Sequence, residues 1–142
     1  MKRSTEKYPD TQVFHFHNQN PKNRITGDCA FRAISLATGI DYNTVVMEMA
    51  ELQCKTGYAL NDKKGIERYL EIKGWKKCKQ PRKSDNTKYS GKEWCIELQE
   101  SHIKRPMIAN IGGHHIVCIK DGKIWDIWNP SSNAIGNFWV KL

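Results

Sequence analysis

The pair Asp121-Gly122 constrains this chain more than any other feature of it. The two residues stand between the alternating runs HIVCIK and KIWDIW, a setting in which Asp-Gly specifies a two-residue hairpin turn. The turn fixes the register, so His115 is predicted opposite Trp128, Val117 opposite Asp126 and His114 opposite Asn129. Paired residues share a face, which makes His115 and Asp126 diagonal neighbours within reach of polar side chains, with His114 on the other face. A one-residue bulge would exchange the faces.

Around this hairpin the pattern predicts further short strands at Pro106 to Ile111 and Asn137 to Lys141, with Lys123 to Trp128 as the hairpin's second arm, reading together as an antiparallel meander. Trp125, Trp128 and Trp139 are expected in its core. Upstream the period changes. Ala30, Ala33, Ile34 and Ala37 recur at helical spacing from Asp28 or Cys29 to Thr38, and Gly39 follows where a C-terminal cap belongs. Asp41 is a good N-cap for a second helix carrying Val45, Val46, Met49 and Leu52 and closed by Gly57. Asn61 is expected to cap a third, with Ile66, Tyr69 and Leu70 inward and Gly74 at its end. Short strands are expected around Gln12 to His17 and from Trp75 through Cys78, with a short helix at Lys92 to Gln99. Helices first and a sheet last is an α+β order.

At 142 residues the chain is read as a single domain over 1–142, with residues 1–10 as a flexible arm. A hydrophobic fraction of 39% with five tryptophans fits a folded globule and excludes a disordered chain. Five cysteines without CxxC spacing suggest neither a disulfide framework nor a zinc site, and fit a reducing, cytoplasmic setting. No stretch approaches the roughly 18 apolar residues of a membrane span. The net charge of +8 makes nucleic acid a conceivable partner through Lys76, Lys77 and Lys79, but the basic stretches read more simply as solvated loop charge. No cofactor is expected. His15 and His17 alternate in the first strand, and no carboxylate or cysteine completes a metal-ligand spacing with them.

The chemistry lies in NRITGDCAFRAISLATG. Cys29 follows Gly27 and Asp28 at the mouth of a helix, where backbone N–H groups and the helix dipole stabilise a thiolate. The alternative is a small buried residue, the commoner fate of an intracellular cysteine. The hairpin offers a histidine and an orienting carboxylate or amide, which a cysteine nucleophile needs.

These segments, with YLEIKGW at residues 69 to 75, resemble papain-like cysteine peptidases in the broad sense, and more closely small phage-type proteins of that fold. The order of nucleophile, histidine, then Asp or Asn is matched. The resemblance implies a papain-like fold, N-terminal helices packed on a C-terminal antiparallel sheet. It implies Cys29 as nucleophile, His115 rather than His114 as base, Asp126 as the orienting residue with Asn129 as second choice, and Asn23 as an oxyanion-hole donor. GDCAFRAI is also similar to the cysteine motif of ovarian-tumour-type deubiquitinases, although Thr26 stands where that family has Asp. The activity so implied is a cysteine-dependent peptidase or isopeptidase acting on a protein or peptide. The competing expectation is an inactive protein of the same fold that binds a host protein or an acidic partner.

Overall fold

The structure, a computed structural model, describes residues 4–142. It is α+β: helices flank a six-stranded mixed sheet on both faces. A single turn, α1 (Ser4–Lys7), precedes β1 (Phe14–Phe16). The segment expected as a flexible arm is tied down at its end, since Tyr8 packs against the core and the Asp10 carboxylate accepts from the Phe16 N–H at 2.9 Å. The first three residues of that arm lie outside the described residues.

Three helices follow, α2 (Cys29–Thr38), α3 (Tyr42–Thr56) and α4 (Lys63–Ile72). In α2 the stripe Ala30, Ala33, Ile34 and Ala37 is buried as its spacing requires. Asp41 caps α3, its carboxylate accepting from the N–H groups of Asn43 and Thr44. The cap of α4 is Asp62, not Asn61. A turn closed by the Asp62 N–H on the Ala59 carbonyl leaves Asp62 extended, so its side chain accepts from the Lys64 N–H.

The remaining elements are β2 (Trp75–Cys78), α5 (Gly91–Glu100), β3 (Met107–Ile111), β4 (His115–Lys120), β5 (Lys123–Asp126) and β6 (Ile135–Lys141). The β4–β5 hairpin has the register dictated by its turn: Cys118 pairs with Trp125, Ile119 with Ile124 and Lys120 with Lys123. Asp121 and Gly122 both take positive φ, 54° and 69°, as the turn type demands. β5 ends at Asp126, two residues before the expected limit, where the Asp126 carboxylate accepts from the Ile127 N–H.

The sheet corrects the expectation of an antiparallel meander. Its order is β1-β5-β4-β3-β6-β2, and β1 runs parallel to β5. A parallel neighbour needs a long crossover, and here the intervening chain, including all three N-terminal helices, supplies it. β6 does not continue from β5 but crosses to lie between β3 and β2. Alternation along β4 then splits the core. Ile116 and Cys118 face α2, α3 and α4 with Trp139, whereas Val117 and Ile119 join Cys95 and Leu98 of α5 on the other face. Of the three tryptophans expected in the sheet core, Trp139 is fully buried while Trp125 and Trp128 are half-buried. Among the described residues no helix is long and apolar enough to cross a membrane.

Candidate active site

The packing of α2 on β4 brings the mouth of the helix to the start of the strand. His115 Nε2 lies 2.5 Å from Asp126 Oδ2, the diagonal pair that the hairpin register specifies. That bond leaves the other ring nitrogen, Nδ1, free, and Cys29 is the other side chain that acts on the His115 ring. Asp126 is buried, and a neutral His115 that donates to it from Nε2–H keeps Nδ1 as its acceptor. Trp128 packs on the His115 ring with centroids 4.8 Å apart and shields one face of it.

Asp126 is itself held. Its Oδ1 accepts from Arg32 at 2.7 Å, and the same guanidinium donates to Asp28 Oδ1 at 2.7 Å. Asp28 Oδ2 accepts in turn from the Tyr42 hydroxyl at 2.6 Å and from Asn20 Nδ2 at 2.9 Å. Arg32, Asp28 and Asp126 are all buried, so this is a buried ion network joining the residue before Cys29 to the residue behind His115. One consequence is local. Asp28 stands at the N-cap of α2 yet makes no side-chain cap, because its carboxylate is occupied by Arg32, Tyr42 and Asn20. The first N–H groups of α2, which have no intrahelical acceptors, remain uncapped beside Cys29.

The titration behaviour follows from these contacts. Burial opposes the charged form of Cys29, but the His115 hydrogen bond, the Ile116 N–H and the charges of His115 and Arg32 prevail, and the thiol lies below its ordinary value. Burial likewise opposes the imidazolium, yet the bonds to Asp126 and Cys29 raise His115 to about 9. The two shifts favour a thiolate–imidazolium pair. Buried Cys95 and Cys118 behave oppositely, burial pushing their thiols up to about 12.

A cavity of about 240 Å³ opens over Cys29, lined by Gly27, Phe31, Asn61, Ile66, His114 and Ile116 among others. No family model, curated protein or solved structure matches this chain. The site therefore rests on its own geometry.

Of the residues singled out from sequence, Cys29, His115 and Asp126 are brought together. Asn129 is not at the histidine, since its Oδ1 accepts from the Ser131 N–H at 3.1 Å. His114 lines the cavity without joining the hydrogen-bonded cluster. Asn23 stands apart on the loop before α2, exposed, with positive φ of 55° and its Oδ1 3.5 Å from Asn18 Nδ2. It is not among the residues lining the cavity. The loop from Gln80 to Gly91 does not line it either, and is anchored to β6 through Gln80. His15 and His17 are taken up by Asp10 and Gln19. No group of His, Cys, Asp or Glu side chains among the described residues is placed to hold a metal ion.

Arg32 is the residue that the sequence reading passed over. Its signal is a charge on the otherwise apolar side of a helix, four residues after Asp28, a spacing that places the two side chains together.

Proposed function

We propose that this protein is a cysteine-dependent acyl hydrolase of papain-like organisation, with Cys29 as nucleophile, His115 as its proton carrier and Asp126 as the residue that orients His115. The observation that carries the reading is the convergence of Cys29, His115 and Asp126, in which His115 Nε2 is bonded to a buried carboxylate and the same ring lowers the Cys29 thiol. A structural cysteine has no need of that arrangement.

In the proposed reaction the Cys29 thiolate attacks an amide or isopeptide carbonyl. A carbon–sulfur bond forms, the carbonyl π electrons move to oxygen, and the uncapped N–H groups at the start of α2 receive that negative charge. On collapse the carbon–nitrogen bond breaks and His115 gives its Nδ1 proton to the departing amine. Water, deprotonated by His115, then hydrolyses the thioester and regenerates the thiol. Asn23, exposed and outside the cavity, takes no part in this scheme. A protein or peptide substrate is favoured over nucleic acid, because among Lys76, Lys77 and Lys79 the charge of Lys77 is already engaged by Glu67.

The test is the pH dependence of Cys29 alkylation by iodoacetamide, followed by peptide mass spectrometry in the wild type and in His115→Ala. Fast labelling of Cys29 well below the free-thiol value of about 8.5, lost in the variant, is expected. An ordinary titration at Cys29, unchanged by the substitution, would overturn the catalytic reading in favour of its competitor, a binding protein of the same fold.

A further inference from the structure

The Cys29 cavity does not end at the nucleophile. A second cavity, of about 160 Å³, shares Asn61, Ile66, His114 and Ile116 with it and extends along the sheet to Lys63, Asn110 and Trp139. Together they form one groove between the loop before α4 and the β3–β4 turn, where Gly112 and Gly113 take positive φ of 65° and 87°.

The far end of this groove has a definite polarity. Asn110 is buried and sits where the β3–β6 pairing shifts register. Its Nδ2 donates to the Gly113 carbonyl at 3.3 Å, while its Oδ1 is buried with no hydrogen-bond partner among the described residues. An unpaired buried acceptor is costly, and a donor that reaches it recovers that cost. Asn110 is among the residues lining the cavity, and the bond from its Nδ2 to the Gly113 carbonyl fixes which way the amide is turned. Lys63 is exposed at the rim and forms no ion pair among the described residues. Ile66, Ile116 and the Trp139 ring supply apolar walls.

Size and polarity together select an occupant. A cavity of about 150 Å³ holds a group the size of benzene, so a side chain of five or six heavy atoms fits here. Lys63 disfavours lysine and arginine. A carboxylate would find Lys63 but would meet Asn110 Oδ1 with another acceptor. An aliphatic side chain would leave Asn110 unpaired. A carboxamide on two methylenes meets every requirement, its NH2 donating to Asn110 Oδ1, its oxygen accepting from Lys63 and its methylenes lying on the apolar walls.

We propose that this second cavity is a specificity pocket for a glutamine side chain of a peptide substrate, with Asn110 as the selecting residue. The inference rests on the reading of Cys29 as nucleophile. It is tested with short acetylated peptides carrying a cysteine-reactive vinyl sulfone. Gln, Glu, Lys or Leu is placed one or two residues before the warhead, and the rate of Cys29 modification is read by intact mass.

Gln at one of the two positions is expected to react about tenfold faster than Leu, the scale of one buried hydrogen bond, and Glu and Lys more slowly than Gln. Asn110→Leu is expected to abolish the preference for Gln over Leu. Because Asn110 is buried and that variant must first be shown to fold, Lys63→Glu at the exposed rim provides a second reading and is expected to raise the rate with the Lys peptide. Equal rates across the four peptides, a preference for Leu with Asn110 intact, or no reaction with any peptide while iodoacetamide labels Cys29 rapidly, would each overturn the pocket and leave the nucleophile standing. Slow, His115-independent iodoacetamide labelling would remove the catalytic reading, and the pocket with it.

Discussion

Replacing Arg32 by methionine removes the cation at the centre of the site while keeping most of the side chain's volume. Arg32 is only 6% exposed, and its two partners, Asp28 and Asp126, are 5% and 1% exposed. Neither carboxylate can recover water in its place. Breaking a buried pair by removing one partner costs about 3–5 kcal/mol. The lower end applies here, because Asp28 keeps Tyr42 and Asn20 and Asp126 keeps His115 and the Ile127 N–H. A loss of about 3 kcal/mol is a large share of the roughly 5–15 kcal/mol that holds a domain together. Urea unfolding measures it as a fall in the transition midpoint at unchanged slope. The double variant Arg32→Met/Asp28→Asn, which strands one charge fewer, is expected to recover a part of the loss. A single variant less than about 1 kcal/mol below wild type, or a double variant no more stable than the single, would refute the argument that the network is desolvated and mutually dependent. The same substitution also removes one of the charges that lower the Cys29 thiol, so the alkylation profile of Cys29 should move to higher pH.

The coupled shifts at the site give a pH signature. His115, raised from 6.5 to about 9, contributes stability that is complete below about pH 6.5 and lost as pH rises through about 9. Cys29, lowered from 9.0, contributes stability that is complete above pH 9 and lost as pH falls through its folded value. Between pH 6.5 and 9 the two trends oppose one another, so wild-type stability should change less than the histidine alone would dictate. In Cys29→Ala only the histidine trend remains, so stability should fall across that interval by at most about 3 kcal/mol; a level urea midpoint in that variant would sink the assignment. Gly122→Ala is expected to lower the thermal midpoint by about 4 °C, equivalent to about 1–2 kcal/mol. Its new Cβ would crowd the Gln99 side chain at positive φ of 69°, and an unchanged midpoint would show that the turn relaxes freely.

Much of the site was legible because its parts are local. The helix-mouth position of Cys29 follows from the spacing of Ala30, Ala33, Ile34 and Ala37, and the approach of His115 to Asp126 follows from the register that an unbulged two-residue turn sets. Arg32 was harder to read, since a single charge on an apolar stripe has meaning only when its partners are known. Asp28 is one turn away, but Asp126 is 94 residues distant.

What the amino-acid order determined by itself was therefore the set of elements: three helices, the Asp41 cap of the second, a hairpin with its register, and a histidine and an aspartate facing one another. Short-range hydrogen bonding and side-chain periodicity suffice for each of these, because they act within a few residues. The tertiary structure alone decided the strand order, with β1 parallel to β5 and β6 inserted beside β3, since such pairings depend on which apolar faces remain to be covered once the helices have docked. It alone joined Cys29 to His115, set Arg32 between two aspartates, and left Asn23 outside the cavity, because contacts across so long a stretch of chain are fixed by burial of the whole core and not by any segment within it.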